Sequence, residues 1–331
     1  MELYGLSLTM GWKRKVSEVF LVIMGLFLIE CFGYDCVFGF STGHVGTGTI
    51  SSKASYKSVN HVEFLFEGRS ERTSEWTGLT FKQYHSRGGM TESDEVEFVR
   101  DTLAPMFNKL SASHKTTVMF DIGHADLFYY RGIARYFLTQ KHAVPFCNAL
   151  RFVRVRRERY ETAQSLVYGM GGNMKLNLCD SVTYGYCPHM NTHAVMLHPP
   201  SAAVWKRFSV FQQMLWFTDE TEARWLTLRQ QYNTSNIQFS EVYWSSANDS
   251  LHQCVDEIKE FIGAGGGSTG PLKVTHVHAK QYHQNKKQHD EWISARKVHM
   301  EEDEGYRKAM CVDRRTCNML ARVLNTSSYI E

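Results

Sequence analysis

The sequence predicts an α/β fold built on a parallel sheet. Three observations lead there. Short apolar segments at 34–40, 116–120 and 150–155 read as buried strands. Polar or glycine-rich turns follow them. Stretches with helical spacing alternate with them.

The elements follow in order. Lys13, Arg14 and Lys15 precede an apolar run from Val19 to Ile29, then Glu30, Cys31, Phe32 and Gly33. A basic flank and about a dozen apolar residues fit a signal-peptide core better than a full membrane span of roughly 20. Small Cys31 and Gly33 suit a cleavage site. A short uncleaved signal anchor and a buried helix of the fold are the other readings. Residues 34–40 are the first strand, and Ser41 to Thr49 form a Gly/Ser/Thr loop. A helix beginning near Gly48 follows. Thr116 to Phe120 is the second strand, with Asp121-Ile122-Gly123-His124 at its carboxyl end. Leu150 to Val155 is the third, followed by a helix from Arg156 to Val167. Helical spacing runs from Ala203 to Arg229 in two stretches, from Ser250 to Ile262, and from His289 to Leu324. Gly263 to Gly270 reads as a flexible loop. The expected organisation is a leader or anchor at 1–33, an α/β domain at 34–270, and a mostly helical extension at 271–331 packing on the same domain.

Composition bounds the function. The chain has 331 residues, 43% hydrophobic and 21% charged, which excludes a mainly disordered, collagen-like or coiled-coil protein. A net charge of +3 argues against bulk nucleic-acid binding. Eight cysteines are too few for a cysteine-stapled miniprotein but enough for two or three bridges in an oxidising compartment. Cys31 leaves with a cleaved leader, so seven remain and at least one stays unpaired within the chain. Cys179 with Cys187 and Cys311 with Cys317 are spaced for local disulfides, though buried thiols give the same pattern. Asn233-Thr234-Ser235, Asn248-Asp249-Ser250 and Asn325-Thr326-Ser327 are glycosylation sequons. Together these features favour the secretory pathway: a glycoprotein with disulfides that touches a membrane only through an uncleaved N-terminal segment.

The loop Ser41-Thr42-Gly43-His44-Val45-Gly46-Thr47-Gly48-Thr49 lies between a strand and a helix. Its glycines let backbone N–H groups turn inward, and the helix N-terminus adds partial positive charge. Thr47 and Thr49 offer hydroxyl donors. These are the physical requirements of a phosphate cradle, although such stretches also serve simply to turn a chain. The Gly-Lys-Ser/Thr ending of nucleotide triphosphatases is absent, which argues against ATP or GTP with magnesium. Arg154, Arg156, Arg157 and Arg159 crowd the end of the third strand, with Ser165 eight residues beyond Arg157. Arg157 and Ser165 could converge on one dianionic phosphate. A solvated basic face is the competing reading.

These two segments carry a resemblance. The loop at 41–49, and Arg-Val-Arg-Arg-Glu-Arg-Tyr-Glu-Thr-Ala-Gln-Ser after a later strand, resemble the sulfotransferase family, which uses 3′-phosphoadenosine-5′-phosphosulfate (PAPS). Asp121 to His124, Phe211 to Trp216, Asp219-Glu220 and Glu222 to Trp225 look like a subgroup of algae and related eukaryotic microbes. The resemblance spans roughly residues 34 to 230. It implies a P-loop-type, three-layer α/β/α domain. Residues 42–49 take the place of the 5′-phosphosulfate loop. Arg157 and Ser165 take the place of the 3′-phosphate site. It implies no metal, and a hydroxyl acceptor such as a glycan in the Golgi lumen. His44 stands where the family carries Lys or Arg, so either the reaction is pH-sensitive, or Lys53 or Arg131 substitutes, or activity is impaired. His124 is the leading general base, with Asp121 to orient it, and Glu67 and Glu63 are the rivals.

Other constellations have plainer readings. His276, His278, His283 and His289 suggest a polar basic surface ahead of a metal site, since no ligand set is complete. Trp205, Trp216 and Trp225 with Phe208, Phe211 and Phe217 sit at helical spacing and read as core ahead of a sugar-stacking strip. Glu301-Glu302-Asp303-Glu304 reads as a solvated helix start. Three function classes remain: a lumenal sulfotransferase, a kinase-like P-loop transferase, and an inactive nucleotide-binding relative.

Overall fold

The computed structural model describes residues 33–42, 62–66, 69–70, 91–114, 116–123, 129–139, 146–169, 200–243, 251–261 and 286–325. Its strands are β1 (Asp35–Phe40), β2 (Val62–Phe66), β3 (Arg69–Ser70), β4 (Val118–Gly123), β5 (Leu150–Arg156) and β6 (Ile237–Tyr243). They form one six-stranded sheet in the order β3-β2-β4-β1-β5-β6. Only β3 runs antiparallel, against β2, and the other five strands are parallel.

The helices are α1 (Glu92–Phe98), α2 (Ala104–His114), α3 (Tyr130–Thr139), α4 (Arg159–Gly169), α5 (Ala202–Trp205), α6 (Val210–Tyr232), α7 (Leu251–Phe261), α8 (Lys286–Met310) and α9 (Arg314–Leu324). A π-helical turn at Val99–Leu103 joins α1 to α2. Local chemistry starts several of these helices. Thr91 accepts from Asp94 N–H while the Asp94 carboxylate accepts from Thr91 N–H. Ser209 and Gln212 repeat that capping box at α6. The Asp313 side chain caps α9.

Strand alternation divides the sheet into two faces. Cys36, Phe38 and Phe40 of β1, Leu65 of β2, Met119 of β4, and Leu150 and Phe152 of β5 face the larger core, with the side chains of α1, α2, α3, α6, α8 and α9. Val37, Val62, Val118, Phe120, Ile122, Val153 and Val155 face a smaller core closed by Cys254, Val255 and Ile258 of α7. Helices therefore cover both faces of a parallel sheet, and an α/β fold is what the structure shows.

Several sequence expectations are corrected. β4 runs through Gly123, so Asp121 lies inside the strand, level with Phe38, and not beyond its end. β5 includes Arg156, and the following helix starts at Arg159. The stretch from Ala203 to Arg229 divides elsewhere than expected. It is one short helix, α5, and then a single continuous helix of 23 residues, because Ser209 caps the second. The segment after His289 is two helices broken by the 311–313 turn. Glu301–Glu304 lies in the body of α8, and Asp303 is only 2% exposed. The expectation that Trp205, Trp216 and Trp225, with Phe208, Phe211 and Phe217, are core residues holds.

α1 and α3 approach closely at Gly132. A Cβ there would lie 2.5 Å from the Glu95 backbone carbon. Backbone cannot rotate away, so Gly132→Ala is expected to destabilise the protein by about 1–3 kcal/mol or more. A urea-unfolding midpoint measures it, and an unchanged midpoint would contradict the packing argument.

Candidate functional site

The sheet sets the ends of β1 and β4 level, and β5 runs two residues further. Phe40, the last residue of β1, is in register with Gly123 of β4 on one side and Arg154 of β5 on the other. Among the parallel strands the chain starts at the centre, with β1. It then fills one side, placing β2 further out and β4 between β2 and β1. Finally it crosses to the other side, with β5 and β6. The carboxyl end of β1 is thus the topological switch point, where open α/β sheets have their ligand crevice. The chain leaves β1 there into Ser41 and Thr42, both buried. It leaves β5 nearby, at Arg157.

Thr42 is 1% exposed, and its hydroxyl has no hydrogen-bond partner among the described residues. Gly43, His44, Val45, Gly46, Thr47, Gly48 and Thr49 lie outside the described residues, as do Lys53, Glu67 and His124. The position after Gly123 puts the chain entering His124 at the same sheet edge as the β1 exit. Glu63 is placed differently. It is buried in β2, level with Met119, three residues back from Phe66 and so roughly 10 Å from that edge.

The arginine cluster is resolved into buried ion pairs. β5 alternation turns Arg154 and Arg156 toward α6 on the same side as Phe152. Glu222 of α6 receives both: Arg154 Nε lies 3.3 Å from Glu222 Oε2, and Arg156 Nη2 donates to Glu222 Oε1. Arg154 Nη1 also donates to the Phe40 carbonyl at 3.1 Å, which ties the β1 exit to α6. Arg156 pairs with Glu241 of β6, whose carboxylate also accepts from Trp225 Nε1 at 2.8 Å. Arg159 binds Asp219 through two bonds of 2.8 Å and reaches Asp303 of α8 at 2.9 Å. Tyr306 donates to Asp219, and Tyr160 and Arg307 donate to Asp303. Burial works against charge on Asp303, but Arg159, Arg307 and Tyr160 outweigh it and hold that carboxyl below its ordinary range.

Neither a solvated basic face nor a free phosphate cluster describes Arg154, Arg156 and Arg159, which are neutralised from within. Arg157 differs in position. It stands past the strand end and donates from Nε to Glu161 at 2.9 Å. Ser165 lies further along α4 and is half-buried. Arg131 is paired with Glu95, whose other oxygen accepts from Gly132 N–H at 2.9 Å. Burial raises the Glu95 carboxyl, against the pull of Arg131.

Sequence reading left the α6 carboxylates without a role, although Asp219, Glu220 and Glu222 follow the aromatic run Trp216-Phe217 and precede Trp225. Tyr130 and Glu95 carried no signal. The histidines at 276, 278 and 283 lie outside the described residues, and among the described residues no cluster of His, Cys, Asp and Glu could hold a metal. Among the described residues two disulfides are present, Cys36–Cys147 and Cys311–Cys317, while Cys254 is a free buried thiol. Cys179 and Cys187 lie outside the described residues. Among the described residues no helix is long and apolar enough to cross a membrane. The sequence matches no family model. It matches no curated protein either.

Proposed function

We propose that the chain is a PAPS-dependent sulfotransferase acting on a hydroxyl acceptor, a glycan by preference, in the secretory pathway. The observation that carries this reading is the alignment of Phe40, Gly123 and Arg154 across the sheet. It brings to one edge the start of the glycine-rich loop, the entry to His124 and the approach to Arg157. The strand order has the central first strand that a P-loop-type domain requires. The two disulfides accord with a lumenal compartment.

The residues present fit the nucleotide's demands. The buried Thr42 hydroxyl can donate to an anionic oxygen. Arg157 stands past the strand end but is buried and paired with Glu161, so it would have to turn from that carboxylate to reach the 3′-phosphate, and Ser165 offers a hydroxyl on the following helix. PAPS supplies the activated sulfuryl group. Residues 42–49 would hold its 5′ side, and Arg157 with Ser165 its 3′-phosphate. His124 would take the acceptor's proton, with Glu67 the rival. Glu63 is disfavoured by its place deep in the sheet.

Two findings also favour a second reading, an inactive nucleotide-binding relative. His44 stands in the cation position, and Arg131 is paired with Glu95. Two measurements decide. Adenosine 3′,5′-bisphosphate should bind in preference to ATP, and Arg157→Ala should weaken it about tenfold or more. Equal affinity in wild type and variant overturns the 3′-site. Transfer of radiolabelled sulfuryl groups to mixed glycans separates an enzyme from an inactive relative.

A further inference from the structure

Tyr130 opens α3, just beyond the segment that leaves β4. It is 2% exposed, and its hydroxyl has no hydrogen-bond partner among the described residues. Other phenols of the same core end on partners: Tyr34 on Asn108, Tyr160 on Asp303 and Tyr306 on Asp219. A buried phenol left unpaired is destabilising, so its retention asks for a partner that arrives. The Tyr130 ring meets Phe40 edge-on, with centroids 5.3 Å apart and planes at 77°. Two residues beyond Phe40 stands Thr42, whose buried hydroxyl is also unpartnered among the described residues.

We propose that the Tyr130 and Thr42 hydroxyls are ligand-binding donors for one oxyanion, a phosphoryl or sulfuryl group, at the carboxyl end of β1. The surrounding charge permits an anion there. Glu95 and Glu220, the acidic neighbours of Tyr130, are matched by Arg131 and Arg224 respectively. Burial keeps the phenol protonated, hence a donor. Only the identity of the oxyanion rests on the sulfotransferase reading.

The test is Tyr130→Phe, with Thr42→Val as its companion. Removing an orphaned hydroxyl should leave the thermal midpoint of the ligand-free protein unchanged or raised. Affinity for adenosine 3′,5′-bisphosphate should fall about tenfold in each variant. A second probe is sodium sulfate against sodium chloride at matched ionic strength. Sulfate stabilises folded proteins in general, so the difference between wild type and variant is what counts. A sulfate-specific rise that is smaller in both variants supports the proposal, even if the nucleotide fails to bind wild type, which would sink the sulfotransferase reading alone. Equal nucleotide affinity together with equal sulfate shifts overturns the proposal. So does a clear fall in the midpoint of Tyr130→Phe, which would assign the hydroxyl a structural partner.

Discussion

Glu222→Ala is expected to destabilise the protein by about 3–5 kcal/mol, a loss typical of breaking a buried ion pair from one side. Glu222 is fully buried on α6 and serves two guanidinium groups that are themselves buried, Arg154 and Arg156. Without it, both arginines lose a shared buried carboxylate, while Arg156 keeps its pair with Glu241. Taking a shared buried carboxylate away from two buried cations raises the energy of the fold far more than the loss of a surface pair. The effect should also have a direction in space. Arg154 holds the Phe40 carbonyl, so Glu222→Gln should speed amide exchange at Ser41 and Thr42 more than in the first half of β1. Denaturant unfolding and hydrogen exchange read the two consequences separately. A loss below about 1 kcal/mol for Glu222→Ala would show that the network reorganises around the missing carboxylate. Replacing Arg154, Arg156 and Glu222 together by apolar residues of similar volume is expected to be near neutral, because the desolvation of all three charges is then relieved.

The same network marks the boundary of what sequence alone reveals. β1, β4 and β5 are legible because each is a short apolar run, and their placement within one to three residues follows from that. β6 is harder, since Gln238, Ser240 and Glu241 dilute its apolar pattern at the sheet edge. The arginines after Phe152 look like an anion site because their true partners are remote: Glu222 lies 68 positions from Arg154, and Asp303 144 from Arg159. A charge run such as Glu301–Glu304 reads as solvated by composition, yet Asp303 turns inward where Arg159, Tyr160 and Arg307 meet it. Cys311–Cys317 is legible because six positions separate the pair. Cys36–Cys147 is invisible at a separation of 111. The glycine-rich loop and the entry to His124 are legible as candidates, and the register of Phe40 with Gly123 supports their being neighbours. Tyr130 has no sequence signature, since only the packed core reveals a phenol without a partner.

Removing the Cys36–Cys147 disulfide is expected to have the second large effect. The bond closes a loop with a sequence separation of 111, tying the start of β1 to the segment that enters β5. In the chain-entropy account a cross-link of that span stabilises by about 5 kcal/mol, against about 2 kcal/mol for a six-residue loop such as Cys311–Cys317. The long link also secures pairing that backbone bonds already begin: Cys36 N–H donates to Ala149 at 2.9 Å, and Asn148 N–H to Tyr34 at 2.8 Å. Those bonds persist in a Cys36→Ala/Cys147→Ala double variant, so the native fold stays reachable and the loss falls mainly on the unfolded side. The double variant should therefore unfold at markedly lower urea with a larger surface-dependent slope, as its unfolded chain expands. Cys311→Ala/Cys317→Ala should show less than half that loss. Similar losses from both would mean that local packing of the sulfurs, and not loop closure, sets their value. The distinction matters for the site: β1 and β5 carry Phe40 and Arg154 to the same edge, and their pairing is anchored by this bond at the opposite end.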